Sequence, residues 1–184
     1  MRVRRRFTVP FRRKREGKTD YHARLSLLKS DRHRLVVRRT SNHILAQIVA
    51  FDVKGDRVLA QADSRELAKM KWPFKGNLPS SYLTGYLLAM RAKKQNVAGD
   101  CVLDIGFHVS HPGSRVYAVL KGCVDGGLTV PHSDNVLPSE ERVSGTHVAE
   151  FAKQASGSQF SKTKKEAQNI TALFAETKKA IEQA

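Results

Sequence analysis

The stretch RLVVRRTSNHILAQIVAFDVKGDRVLAQAD, residues 34–63, decides the architecture. Three apolar or β-branched runs, 34–39, 43–53 and 57–63, are separated by Thr40-Ser41-Asn42 and Lys54-Gly55-Asp56, both good turn sequences. Short runs joined by short turns predict a three-stranded antiparallel meander. The second run is apolar at nearly every position, Asp52 excepted, so it is expected to lie inside the sheet with both faces covered.

Working outward toward the C-terminus, a short helical stretch is expected over 64–71, followed by a loop at Trp72-Pro73 and Lys75-Gly76-Asn77. Ser80 or Ser81 then caps a helix with Tyr82, Leu83, Tyr86, Leu87 and Met90 in its apolar stripe and Arg91, Lys93 and Lys94 at its negative end. CVLDIG (101–106) reads as a buried strand, and a second helix begins at Ser114 with Val116, Tyr117, Leu120, Cys123 and Val124 on one face. Strand, helix, strand, helix adds a parallel crossover strand to the meander, so the fold class is α/β with a mixed sheet and packed helices. Further on, a turn-rich segment leads to two helices, over 146–155 and 167–182, joined by the linker GSQFSKTKKE. The second carries Ile170, Leu173, Phe174 and Ile181 in its stripe.

Toward the N-terminus the composition changes sharply. Residues 1–40 hold fifteen Lys or Arg against three acids, a net +12 of the chain's +16. Such a charge calls for a polyanionic partner. MRVRRRFTVPFRRKREGK has too few apolar residues to bury a core of its own, and its Arg bias suits bidentate phosphate contacts, with Phe7 and Phe11 free to stack on bases. An organelle transit peptide or an import signal shares the composition, but Pro10 interrupts any amphipathic period. Thr19 and Asp20 can cap a short amphipathic helix over 20–30, with Tyr21, Leu25 and Leu28 on one side and His22, Arg24 and Lys29 on the other. The expected organisation is a basic arm (1–18), an α/β domain (19–137) and a C-terminal extension (138–184).

The hairpin turn RRTSNH concentrates Arg38, Arg39, Asn42 and His43. A projecting tip of this kind can give phosphate contacts from Arg and base-edge or 2′-hydroxyl contacts from Asn and His. Turn chemistry alone also favours Asn, so both readings stand.

Enzyme signatures are missing: there is no GxxxxGK[ST], GxGxxG after a strand, GxSxG or HExxH. Cys101, His108, His111 and Cys123 are separated by six, two and eleven residues, which fits no common zinc spacing, and the cysteines read as core thiols. Asp52, Asp63 and Asp104 on a mixed sheet suggest, as the alternative, a metal-dependent nucleic-acid enzyme. The ordinary explanation is a turn for Asp52 and a helix cap for Asp63. Two cysteines without a disulfide framework suit a reducing, cytosolic compartment, and no apolar run approaches the ~18–20 residues of a membrane span. No cofactor, metal, small-molecule substrate or membrane partner is expected.

TDYHARLSLLKS, RLVVRRTSNHILAQI, GNLPSSYLTGYLLA, VLDIG and GSRVYAVLKGCVDGGLTVPHSDNVLPSEER, in this order between residues 4 and 150, resemble the archaeal form of large-subunit ribosomal protein eighteen. They are also similar to the larger eukaryotic protein of that family. The resemblance implies a translation-machinery fold with a ribonuclease H-like outline, without the catalysis of that outline. It implies a non-enzymatic protein that binds 5S rRNA, joins it to the 23S-type large-subunit rRNA at the central protuberance, and neighbours other 5S-binding ribosomal proteins. Carried over by position, the RNA contacts fall on Arg4, Arg5, Arg6, Arg12, Arg13, Arg15, Tyr21, His22, Arg24, Arg38, Arg39, Asn42 and His43, and on Lys75 in the loop WPFKGN.

Overall fold

The computed structural model describes residues 8–97, 99–154 and 163–183. Arg4, Arg5, Arg6 and Phe7 lie outside the described residues, as does most of the linker GSQFSKTKKE.

Strands β1 (His33–Arg39), β2 (Ile44–Ala50) and β3 (Arg57–Asp63) form the meander, and β4 (Cys101–Asp104) pairs in parallel with β1, giving the order β3-β2-β1-β4. Register follows the period of two: Leu35 lies opposite Ile48 and Val37 opposite Ala46, so their side chains share one face with Ala60 and Ala62 of β3. That face is fully buried beneath two helices, α3 (Leu78–Lys94) and α4 (Arg115–Asp125).

The opposite face carries Arg34, Val36 and Arg38 from β1 opposite Val49, Gln47 and Leu45 of β2. Among the described residues no helix packs directly on it, α2 standing across a cleft from it, which corrects the expectation that β2 is sheathed on both sides. The strand is interior to the sheet, but its second face lies under a charged cleft in which Gln47 is only half-buried. β2 also ends at Ala50, leaving Phe51 and Val53 exposed at the turn, where the Asp52 side chain accepts from the Lys54 N–H (3.1 Å).

A 3-10 segment, Ser64–Met70, opens on a capping box: Asp63 accepts from the Arg65 N–H, and the Glu66 carboxylate accepts from the Asp63 N–H (3.0 Å). The cap of α3 is Asn77, not Ser80 or Ser81. Its Oδ1 accepts from the Ser80 N–H (2.9 Å), because Pro79 needs no amide partner and fits the first turn. Ser80 is left to accept from Trp72 Nε1 (2.7 Å) and to donate to the Phe74 carbonyl (3.0 Å), which pins the 72–77 loop. Helix α3 is buried on almost every side rather than along one stripe. Its close neighbour α4 approaches backbone to backbone: a Cβ on Gly85 would lie 2.1 Å from the Val119 carbonyl oxygen, and one on Gly122 would lie 2.2 Å from that of Tyr82.

The C-terminal segment holds α5 (Glu140–Ser144), α6 (Thr146–Gln154), α7 (Lys164–Gln168) and α8 (Ile170–Gln183). The two expected helices are α6 and α8; α5 and α7 are short additions. Ile170 and Ile181 join the core, Phe174 packs against Tyr82 (ring centroids 5.4 Å), and Lys178 sits over the Tyr82 and Tyr86 rings. At the other end of the chain, α1 (Arg12–Arg15) and α2 (Tyr21–Leu28) bury no residue. The apolar stripe expected of α2 does not reach the core, and Leu25 is 57% exposed. The sheet face beside the helix mixes Val36 and Val49 with Arg34, Arg38 and Asp104 and lies across a cleft, so the stripe has no continuous apolar surface to meet.

Candidate nucleic-acid interface

Alternation along β1 decides the chemistry of the open sheet face. Arg34 and Arg38 point away from the helices, and register places Asp104 of β4 beside Val36 on that same side. Two strand arginines and a strand carboxylate therefore meet there. Arg34 Nη1 donates to Asp104 Oδ2 (3.0 Å) and Nη2 to Asp56 Oδ2 (2.6 Å); Arg38 donates to Asp104 Oδ1 (3.0 Å) and to its main-chain carbonyl (2.8 Å). Arg24 of α2 completes the chain by donating to Asp56 Oδ1 (2.8 Å). Arg34 and Asp104 are only 4% and 6% exposed, so this network is a buried, mutually neutralised lattice toward its centre and an open one at Arg24 and Arg38. Gly106, at φ +62°, lets the chain pass the Arg38 guanidinium: a Cβ would stand 2.9 Å from its central carbon.

Over this lattice the sheet, α2 and the arm enclose a cleft of about 610 Å³. Arg13 and Lys18 line its rim, and Arg13 Nε is held by Thr19 Oγ1 (2.8 Å). Asp20 caps α2, accepting from the His22 and Ala23 N–H groups, and the Tyr21 ring packs on Phe11 (5.2 Å). That ring contact joins the arm to α2.

The structure divides the candidate residues into two groups. Arg13, Arg24 and Arg38 line the cleft, with Arg12, Arg15, Tyr21 and His22 on the arm and helix beside it. Arg12 is exposed and paired with Glu16 (2.7 Å), whose carboxyl the Arg12 and Lys18 hydrogen bonds hold below the usual range. Arg39, Asn42 and His43 at the hairpin tip form the second group, with Lys75 in the loop that leads into α3. Thr40 and His43 close that turn through Thr40 N–H to the His43 carbonyl (2.8 Å) and through their side chains (2.9 Å). The tip does not project freely. It rests on the Lys75 loop, where a Cβ on Gly76 would lie 2.9 Å from the Asn42 carbonyl oxygen. Behind it, the Arg39 N–H donates to His108 Nε2 (3.1 Å), and burial, followed by Arg39, Arg38 and Arg115, holds that imidazole below its ordinary pKa.

Sequence reasoning missed Arg34 and Asp56. The signal for Arg34 was a charged residue alternating with Leu35 and Val37 inside a strand; its partners are 22 and 70 residues away, and no spacing predicts them. The three carboxylates of the nuclease alternative each have a structural role: Asp52 in a turn, Asp63 in a capping box, Asp104 between two arginines. Among the described residues, no three His, Cys, Asp or Glu side chains are placed to share a metal ion. Cys101 and Cys123 are core thiols; burial, then Asp100, pushes Cys101 up to about 11, and burial pushes Cys123 further.

Comparison with known proteins shows which sequences the chain is similar to. The family model described as ribosomal large subunit proteins 60S L5 and 50S L18 matches residues 5–100 and 92–133. The large ribosomal subunit protein uL18 of Korarchaeum cryptofilum (strain OPF8) is 55% identical over 150 residues, covering 81% of this chain and 76% of that protein. The protein of the same name from Methanococcus maripaludis is 50% identical over 147 residues, covering 79% and 76%.

Proposed function

Because this chain belongs to the family of ribosomal large subunit proteins 60S L5 and 50S L18, and so has a structural role in the large subunit, we propose that its principal ligand there is 5S rRNA. The cleft on the open sheet face carries this reading. It combines a buried arginine–aspartate floor with the basic residues Arg13 and Lys18 at its edge, which suits a folded RNA: fixed groups to read shape, and cations to meet phosphates. The protein turns nothing over. It attaches 5S rRNA to the 23S-type rRNA at the central protuberance of the cytoplasmic ribosome, beside other 5S-binding proteins.

In this reading residues 1–18 are the arm, with Arg4, Arg5, Arg6, Arg12, Arg13 and Arg15 on phosphates. Residues 19–137 supply the reading face through Tyr21, His22, Arg24 and Arg38, with Arg39, Asn42 and His43 at the tip and Lys75 in the loop that leads into α3, and 138–184 braces α3 from behind. Neutralising about six to ten phosphates gives a log K against log salt slope on the order of −4 to −9.

The test is equilibrium binding to 5S rRNA with excess transfer RNA as competitor, for the full chain and for a chain lacking residues 1–18. The full chain should hold 5S rRNA against the competitor. The truncated chain should bind much more weakly yet melt at nearly the same temperature, since α1 buries nothing. Equal competition by transfer RNA would reduce the protein to a generic polycation and overturn the reading.

A further inference from the structure

Consecutive residues on a strand face opposite ways, so Arg38 and Arg39 part company at the end of β1. Arg38 enters the cleft, whereas Arg39 passes to the helical side and borders a separate hollow of about 420 Å³. Arg115, Arg142, His111 and His147 also line this hollow, and no carboxylate does. The contrast with the cleft is sharp. There every arginine of the floor faces an aspartate; here, among the described residues, none of the three arginines is in an ion pair.

Like charges held this close cost free energy unless an anion joins them. Arg115 feels that cost: burial first, and then Arg39, lower its pKa from the ordinary arginine value. Part of the arrangement is nevertheless held in place. Arg115 Nη1 donates to the Gly76 carbonyl (2.8 Å), and the Arg39 main chain is tied to His108 (3.1 Å). Arg115 is also the first residue of the eleven-residue α4, whose N-terminus opens on the hollow. The N–H groups of Arg115, Val116 and Tyr117 precede that helix's first i to i−4 bond, from Ala118 to Ser114 (3.0 Å), and Ser114 Oγ is shut from solvent without a hydrogen-bond partner.

We propose that this hollow is a second phosphate site, in which Arg39, Arg115 and Arg142 grip the backbone of an RNA strand that passes around the end of the β1–β2 hairpin. The neighbouring cleft favours nucleic acid over an acidic peptide as the occupant, because Arg38 and Arg39 make the two sites continuous along one strand end. His111 and His147, which also line the hollow, add ring N–H donors. The inference rests on the RNA-binding function proposed above, and it adds residues on α4 and α5 that the cleft alone does not involve.

The test compares salt slopes of 5S rRNA binding for the full chain and two charge-matched variants. Arg39→Gln with Arg142→Gln strips the hollow of two exposed cations. Lys93→Gln with Lys94→Gln removes two at the far end of α3, roughly 24 Å from Leu78, which borders the hollow. The first variant should lose about 1.4 to 1.8 in slope magnitude and bind roughly ten- to a hundredfold more weakly, as expected for two phosphate contacts. The lysine variant should stay close to the parent chain, and both should melt with it. Equal slopes for the two variants would overturn the second site while leaving 5S rRNA binding intact. Loss of preference over transfer RNA in the parent chain would instead overturn the functional reading, and the slope comparison would still be readable on either RNA.

Discussion

Replacing Asp104 by Asn tests whether the strand carboxylate is a counter-ion or a reacting group. The residue is 6% exposed, and its carboxylate accepts from Arg34 (3.0 Å), Arg38 (3.0 Å) and the Gly106 N–H (2.9 Å). Breaking a buried ion pair from one side costs about 3–5 kcal/mol, because the partner charge stays buried. Asn keeps one acceptor, and Arg34 keeps Asp56 at 2.6 Å, so the cost should fall near the lower end of that range. The new amide group, however, points donor against donor at a guanidinium. A loss of about 3 kcal/mol in a chain of this length lowers the melting temperature by roughly 6–12 °C. Calorimetry or thermal circular dichroism reads that directly. RNA affinity, measured well below the transition, should be maintained or raised, since Arg38 is released. Coupled replacement, Arg34→Met with Asp104→Leu, should be less destabilising than Asp104→Asn alone, because no orphan charge remains at the centre. A melting temperature within about 2 °C of the parent chain, with RNA binding or Mg²⁺-dependent cleavage abolished, would refute the counter-ion argument and revive the nuclease alternative.

At the α3–α4 crossing, Gly85→Ala places a Cβ 2.1 Å from the Val119 carbonyl oxygen, so the helices must part; overpacking of about 1–3 kcal/mol or more outweighs the ~0.5–1 kcal/mol gained in helix propensity. Denaturant unfolding should show this loss, whereas Gly99→Ala, whose nearest neighbour would be 3.9 Å away, should stay within about 0.5 kcal/mol of the parent. Cys101 and Cys123, buried and pushed upward in pKa, should resist a thiol reagent at pH 8 in the native protein and both react once it is unfolded; a thiol that reacts in the native state would show that the α3–α4 core opens. His108 is held below the ordinary 6.5 by burial and by Arg39, Arg38 and Arg115. The unfolded chain therefore takes up its proton first, and this histidine's contribution to stability is full above about pH 6.5 and is lost as pH falls below it. His108→Gln should flatten the stability profile between pH 7 and 5, and an unchanged profile would remove the argument.

The strands were legible because their ends are marked by residues with turn chemistry. Thr40-Ser41-Asn42 and Lys54-Gly55-Asp56 bracket β2 to within about three residues. The cap of α3 was misread since two serines advertise a helix start, while the deciding feature, Pro79 in the first turn after Asn77, is quieter. The stripe of α2 had the right period, yet it reaches no core: Tyr21 meets Phe11 of the arm and Leu25 stays exposed. Periodicity reports what a helix can bury, and the surface opposite decides whether it does. For the candidate site, the arm and the hairpin arginines could be found from charge density alone. Their division between two sides of the sheet follows from a period of two and was open to inspection; the pairing of Arg34 and Arg38 with Asp104 was not, because it depends on a parallel strand pairing across some seventy residues. Arg115 and Arg142 carry no local signal. They matter through the hollow that α4 and α5 build with the hairpin.

The formal charge of +16 overstates what RNA binding can draw on. Counterion release counts only cations that exchange a small ion for a phosphate, and a guanidinium already facing a carboxylate has no such ion to release. Arg24, Arg34 and Arg38 share two carboxylates, Asp56 and Asp104, so they should shape the cleft while adding at most about one cation to the salt slope. On the proposed reading the slope comes mainly from the arm, the tip and the hollow. Asp56→Asn separates the two roles. It frees Arg24, whose side chain is partly exposed, while Arg34 keeps Asp104. If the argument is right, the slope steepens by up to about 0.7–0.9 as one more cation becomes available to phosphate, and the preference for 5S rRNA over transfer RNA narrows because α2 loses its anchor to the β2–β3 turn. A slope that does not change, with preference retained, would mean that Arg24 already meets phosphate in the complex and that Asp56 yields it on binding.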